Sequence, residues 1–358
     1  MRITNKKLNM LTIIAIVLTI ITVSLYIPRP EKEITLSKGS YLAGGLTLDD
    51  IATINISKGK IKTTLKKRDN GFVVTEKNNY PADTRKINEL YTKVLDIKVE
   101  NFITNKKANY KELGVSDDSK DATIISFKDD KGKLISGLIV GKTSDNGRGN
   151  YVRLMNKSDV YISDIIQYFN CEPSDYLNKT ITKLKTSDVK RLDVIDNTGN
   201  YSINKNSSGE VVLLNAPKDK KIDKGALNSV FNSITSLNFN DVSKASDKSL
   251  DFKREVICEV EGKVKYHIYI AKQGEDTWIK AKAEEPKYSD IENSRRISKN
   301  DTESDLKNKS KVLDAGEAAK KFNKMTNGWV YKLASYKAEA LNKKLSDLFV
   351  KDKDKKGK

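Results

Sequence analysis

Three places in this chain have residue types that could do chemistry. Gly141-Lys142-Thr143 matches the end of a phosphate-binding loop, GxxxxGK[ST], whose amides and lysine hold phosphate at the start of a helix. That motif needs glycine at position 136, where Ser136 stands, and Ser144-Asp145-Asn146-Gly147-Arg148-Gly149 follows as a loop leading into a strand. A strand end with a turn is the reading. His267, the one histidine, has Val264, Tyr266, Ile268 and Ile270 on the other face of its strand. No motif ties a serine or cysteine to it as a nucleophile. The acidic spots at Asp117-Asp118, Asp129-Asp130 and 193–196 lack the spacing of a calcium loop and suit hairpin turns. No pair of carboxylates stands out as an acid/base couple. No catalytic, cofactor-binding or metal-ligating residue is assigned, and a non-enzymatic protein is expected.

Cysteine usage and charge narrow the remaining options. Cys171 and Cys258 allow one disulfide at most. Cys258 lies in the apolar run EVICEV, so a buried free thiol is expected. Without a CxxC pair, and with one histidine, a zinc site of the usual kind cannot be assembled. The formal charge of +18 admits nucleic acid, anionic lipid or a cell-wall polymer as neighbours. Lysines are spread along the chain, however, and no dense arginine patch interleaves with aromatics. A generally solvated lysine-rich surface is the simpler account, and nucleic acid is not expected. Trp278 and Trp329, with Tyr151 and Tyr161 at counterpart positions, are the large aromatics of the closing strands. Packing is their plain role, and a shallow groove or partner contact is the functional one.

These residues need a scaffold, and the hydrophobic pattern supplies it. At 37% hydrophobic and 32% charged residues, the 358-residue chain describes a folded body rather than a disordered one. In the stretch 80–102, Ile87, Leu90, Val94, Leu95 and Ile97 fall at the spacing of one helical stripe, with Asp83 or Thr84 as cap. The stretch 222–242 repeats the pattern. Setting Asp83 on Asp223 lays Leu90 on Val230, Ile97 on Leu237 and Phe102 on Val242 without a gap. The expected fold class is α+β: a transmembrane helix, then two tandem repeats of a strand-strand-strand-helix-strand-strand-strand unit with mostly antiparallel sheets. The first repeat spans 46–175 and the second 176–335. The second carries a polar insertion at 284–325, read as a loop up to Lys311 and a helix over 315–324. An amphipathic helix over 336–350, presenting Ala338, Leu341, Leu345 and Leu348, and a charged tail complete the segment 336–358.

At the other end, residues 8–28 contain no charge and suffice to cross a bilayer's hydrocarbon core as a helix. Arg2, Lys6 and Lys7 precede them, which keeps the N-terminus cytoplasmic and the body extracytoplasmic. Residues 1–30 are the expected anchor in the cell membrane and 31–45 a juxtamembrane connector. The alternative is a cleaved export signal, for which Thr22-Val23-Ser24 is a poor cleavage site. Both readings export the body.

Phe72, Tyr80-Pro81-Ala82-Asp83, Leu113-Gly114, Val140-Gly141, Tyr151-Val152-Arg153 and Val160-Tyr161 follow one another in an order that carries a resemblance. With the N-terminal helix, the chain resembles the bacterial domain-of-unknown-function family 4340. The second repeat lacks the Tyr-Pro-Ala triplet and the Leu-Gly turn. The resemblance implies an accessory protein beside the permease and auxiliary components of an ABC export system related to gliding-motility transporters; it supplies no active site. The expectation is a membrane-anchored extracytoplasmic scaffold, an auxiliary subunit of an ABC-type transport or cell-envelope complex. A binding module for an anionic envelope polymer or ligand is the alternative.

Overall fold

Alternating apolar side chains build the first sheet. In β1 (Thr53–Lys58) and β2 (Ile61–Arg68), Ile54, Ile56 and Leu65 turn inward and are fully buried. β3 (Gly71–Val74), β4 (Tyr80–Pro81), helix α1 (Thr84–Leu95) and β5 (Val99–Thr104) follow. After the short helix α2 (Tyr110–Leu113) come β6 (Thr123–Lys128), β7 (Leu134–Thr143), β8 (Asn150–Leu154) and β9 (Val160–Ser163). The sheet is antiparallel, ordered β4-β3-β2-β1-β6-β7-β8-β9-β5. This computed structural model describes residues 15–19, 22, 35–260 and 264–350.

The second sheet holds β10 (Val189–Asp196), β11 (Tyr201–Lys205), β12 (Val211–Leu213), β13 (Phe239–Lys244), β14 (Arg254–Val260), β15 (Lys265–Gln273), β16 (Asp276–Glu284) and β17 (Trp329–Leu333). Helix α3 (Lys224–Thr235) precedes β13, and α4 (Tyr288–Arg295) and α5 (Glu303–Thr326) lie between β16 and β17. A last helix, α6 (Ser335–Leu341), follows β17. The order is β12-β11-β10-β14-β15-β16-β17-β13. In both sheets the strand after the helix lands at an edge, beside the last strand. The protein is thus α+β, with two antiparallel sheets.

Both helices start alike. The Asp83 carboxylate accepts from Arg85 N at 2.9 Å and that of Asp223 from Ala226 N at 3.0 Å, each meeting an N–H that the helix leaves unpaired. The backbone N–H of Asp83 donates to Tyr176 O at 2.8 Å, and that of Asp223 to Leu348 O at 2.8 Å. Each carbonyl ends a 3-10 turn, Pro173–Tyr176 or Leu345–Leu348, beyond the last strand of its own sheet.

The sheets meet around Tyr80. Its ring stands nearly perpendicular to those of Trp329 at 5.0 Å, Phe239 at 5.5 Å and Tyr331 at 6.2 Å. Burial pushes the Tyr80 phenol up to about 12, and the Tyr331 hydroxyl donates to Met325 O at 3.5 Å. The joining segment bonds to both sides. Asn178 N donates to Pro81 O at 3.1 Å, and Ile181 N to Leu237 O at 2.8 Å. Lys77 pairs with Asp241 across the same junction at 2.7 Å. One apolar core runs through both halves, while Tyr110, Val115, Ile139, Tyr151, Val160 and Ile162 form a smaller cluster on the other face of the first sheet.

Several expectations need correction. The insertion 284–325 is not a polar loop with one short helix. It is α4 and α5, and α5 starts well before position 315. Its inward stripe of Val312, Ala315, Ala319 and Phe322 is partly small, so local composition looks charged. Asn323 locks it to β16, its side chain binding Ala283 N at 2.7 Å and Ala283 O at 2.9 Å. The single helix expected over 336–350 breaks after Leu341. Asn342 Nδ2 donates to Ala338 O at 2.8 Å and to Thr277 Oγ1 at 3.2 Å. The chain then bends to bring Leu348 O to Asp223. Within the connector expected at 31–45, Leu42 and Ala43 are buried, and Leu42 N donates to Ile97 O at 2.8 Å. Of the expected membrane helix 8–28, residues 15–19 are helical and the remainder apart from 22 lies outside the described residues, as does the tail 351–358. Among the described residues no helix is long and apolar enough to cross a membrane.

Candidate functional site

Helix α1 has an apolar side and a charged side. Ile87, Leu90 and Val94 face the core, while Arg85, Asn88, Glu89, Thr92 and Lys93 stay exposed. Between this outer side and residues 165–170 lies a mainly apolar cleft of ≈ 900 Å³, with Leu90, Phe169 and Tyr176 among its lining. Lys93 Nζ donates to Tyr168 O at 2.9 Å and lies 5.9 Å from the Phe169 ring centre. Tyr176 donates its hydroxyl to Asn170 O at 2.7 Å, and burial raises its pKa. Ile165 and Tyr168 turn outward, 61% and 74% exposed. The Arg85 side chain bonds Asp83 at 2.8 Å, and chiefly for that reason the Asp83 carboxyl titrates below its usual range.

The corresponding side of α3 is closed. Helix α6 packs on it, with Ala340 and Leu341 buried. Counted from the capping aspartates, Ala226 and Ser233 are buried on α3 where α1 has Lys86 and Lys93. Small residues admit a covering helix; lysines in those places keep their ammonium groups in water. A second cleft of ≈ 1090 Å³ lies where α6 meets the β15–β16 turn. Two ion pairs line it, Lys332 with Asp276 at 2.8 Å and Lys343 with Glu339 at 3.8 Å, so it is a polar seam.

The four aromatics, read as packing residues with a groove or partner contact as the functional option, pack inside. Tyr151, Tyr161, Trp278 and Trp329 are all buried, and none lines either cleft. Tyr151 belongs to the smaller cluster, and Tyr161 accepts from Leu36 N at 3.0 Å. Lys248 covers the Trp278 ring at 4.4 Å, and Lys244 covers Trp329 at 3.7 Å. Sequence reasoning missed Ile165, Tyr168 and Lys93. The available signal was the run Ile165-Ile166-Gln167-Tyr168-Phe169, apolar yet outside any strand.

The other candidates have structural settings. β7 ends at Thr143 and a loop, not a helix, follows. His267 Nδ1 lies 2.7 Å from Glu255 and Nε2 lies 3.4 Å from Glu284 on the outer face of the second sheet. Among the described residues, no group of three His, Cys, Asp or Glu side chains could hold a metal ion. Cys171 and Cys258 are free and buried, and burial pushes the Cys258 thiol up to about 12.

The fold and this surface define a two-sheet α+β protein with an open amphipathic cleft on its first helix. The chain belongs to the family described as "Domain of unknown function (DUF4340)", which it matches over residues 73–253, from β3 to the residue before β14. Neither a curated protein nor a solved structure matches it.

Proposed function

We propose that this protein is a non-enzymatic, membrane-anchored extracytoplasmic scaffold, built from two copies of one α+β unit and serving as an auxiliary subunit of an ABC-type transport or cell-envelope complex. The duplication is supported by the shared strand order of the two sheets and by the matching caps at Asp83 and Asp223. The uncharged stretch 8–28 behind Arg2, Lys6 and Lys7 supports the anchor and its direction. The accessory role beside ABC export components that the family resemblance implies supports the choice of complex. The observation that carries the scaffold reading is the junction at Tyr80, which couples two sheets into one body and leaves a cleft open on the first. Affinity purification of the full chain in mild detergent tests it. A permease or another membrane subunit should co-purify stoichiometrically; a chain that is consistently solitary refutes it.

The charge of +18 favours a second reading, a module for an anionic envelope polymer. Such binding weakens steeply as salt rises. Absent or salt-independent binding removes it.

A further inference from the structure

The first half exposes Tyr41, Ile165 and Tyr168, which backbone bonds and the chain itself connect. Tyr41, 54% exposed, pairs with Lys98, whose ammonium lies 5.2 Å from the tyrosine ring. Asp164 N donates to Lys98 O at 2.9 Å, which brings the outward-turned Ile165 alongside. Tyr168 follows, with Lys93 bonded to its carbonyl. Lysines beside tyrosine and isoleucine are the composition of a surface that lies at a bilayer interface.

The chain's own connection says what covers this patch. Leu36 is held by the Tyr161 hydroxyl at 3.0 Å, and residues 39–42 run along β5 to Tyr41. Between Pro28 and Leu36 the chain can span at most about 29 Å, at ~3.6 Å per residue. An anchor at 8–28 therefore keeps this edge of the first sheet close to the membrane. In the second half the segment after the last strand is helix α6 and packs inward on α3; in the first half the corresponding segment exposes Ile165 and Tyr168.

We propose that Tyr41, Ile165 and Tyr168, flanked by Lys93 and Lys98, form a second membrane contact that rests on the anionic headgroups of the bilayer holding residues 8–28. The inference rests on the anchor reading. Docking fixes the orientation of the body and turns the α1 cleft toward the membrane plane, where a membrane-embedded partner can reach it.

The test uses the full chain in nanodiscs of phosphatidylcholine with phosphatidylglycerol. Tyr168→Cys and, as control, Tyr336→Cys on α6, 66% exposed, are labelled with bimane; both native cysteines are buried. Spin-labelled lipid should quench the probe at 168 and spare that at 336. Lys98→Glu, added salt or omission of phosphatidylglycerol should weaken the quenching, since each lysine near an anionic surface shifts the docked population about fivefold. Quenching insensitive to all three overturns the proposal. So does a membrane-integrated chain whose probe at 168 is unquenched, a result that leaves the anchor standing. Blue-shifted emission at 168 without lipid quenching identifies a protein occupant and also overturns it. Release of the chain by alkaline carbonate sinks the anchor itself, and this contact with it.

Discussion

Replacing Tyr80 by alanine tests whether the two sheets are energetically one body. The side chain is 2% exposed, and its neighbours Phe239, Trp329 and Tyr331 are themselves rings held in strands. The space left behind cannot collapse easily, so truncation should cost about 3–5 kcal/mol. That is a large part of a normal folding free energy of about 5–15 kcal/mol. Tyr80→Phe keeps the ring contacts and should lose only about 1 kcal/mol. Urea unfolding followed by tryptophan fluorescence measures both variants, because Trp278 and Trp329 lie in the second half and Trp329 touches Tyr80. Burial raises the Tyr80 phenol from the ordinary tyrosine value of 10.0 to about 12. Its contribution to stability is therefore complete below pH 10 and falls as pH rises through 12, because the unfolded chain releases the proton first. Tyr80→Phe should remove part of that alkaline decline. If Tyr80→Ala stays within about 1 kcal/mol of the parent, or Tyr80→Phe is equally damaging, packing at the junction does not hold the halves together.

Three further outcomes follow from local geometry. Asp83→Ala removes the α1 cap and should cost about 1 kcal/mol at neutral pH. Because the Asp83 pKa is lowered, the parent's advantage should vanish as pH falls from about 4 through the folded value, as acid titration by circular dichroism would show. Gly149→Ala would place a Cβ 1.9 Å from Ser163 O, in strand backbone that cannot yield; a loss of about 3 kcal/mol in thermal unfolding is expected. Arg153 is 3% exposed and bonds Val115 O at 3.1 Å, Lys157 O at 3.1 Å and Asp117 at 2.7 Å. A lysine cannot reproduce that fork, so Arg153→Lys should lose about 2–3 kcal/mol and speed proteolysis within residues 105–122.

What was legible in the chain was local. Helix α1 announces itself because Ile87, Leu90 and Val94 recur at the helical period behind a capping aspartate, and α3 repeats the signal with Leu227, Val230 and Ile234 behind Asp223. The strand alternation that buries Ile54, Ile56, Val256 and Ile268 is equally local, and with the helices it sets the α+β class. The ordered pieces from Phe72 to Tyr161 sufficed for the family. The surface was not legible. Whether Trp278 and Trp329 lie inside or line a groove depends on what Lys244, Lys248 and Tyr80 lay over them, and all three belong to segments distant in sequence from either ring.

The same limit explains the insertion and the C-terminal break. The early turns of α5 look solvated, and its small buried residues acquire meaning only where β16 offers Ala283 to Asn323. The 336–350 pattern is continuous as a helix until Leu348 O has to meet Asp223 N more than a hundred residues away. Periodicity and caps are set by neighbours along the chain, so the amino-acid order alone determined the elements and the kinship. Coverage is set by whichever surface arrives from elsewhere, so only the tertiary structure decided that α3 is roofed by α6 while α1, with lysines in place of Ala226 and Ser233, stays open.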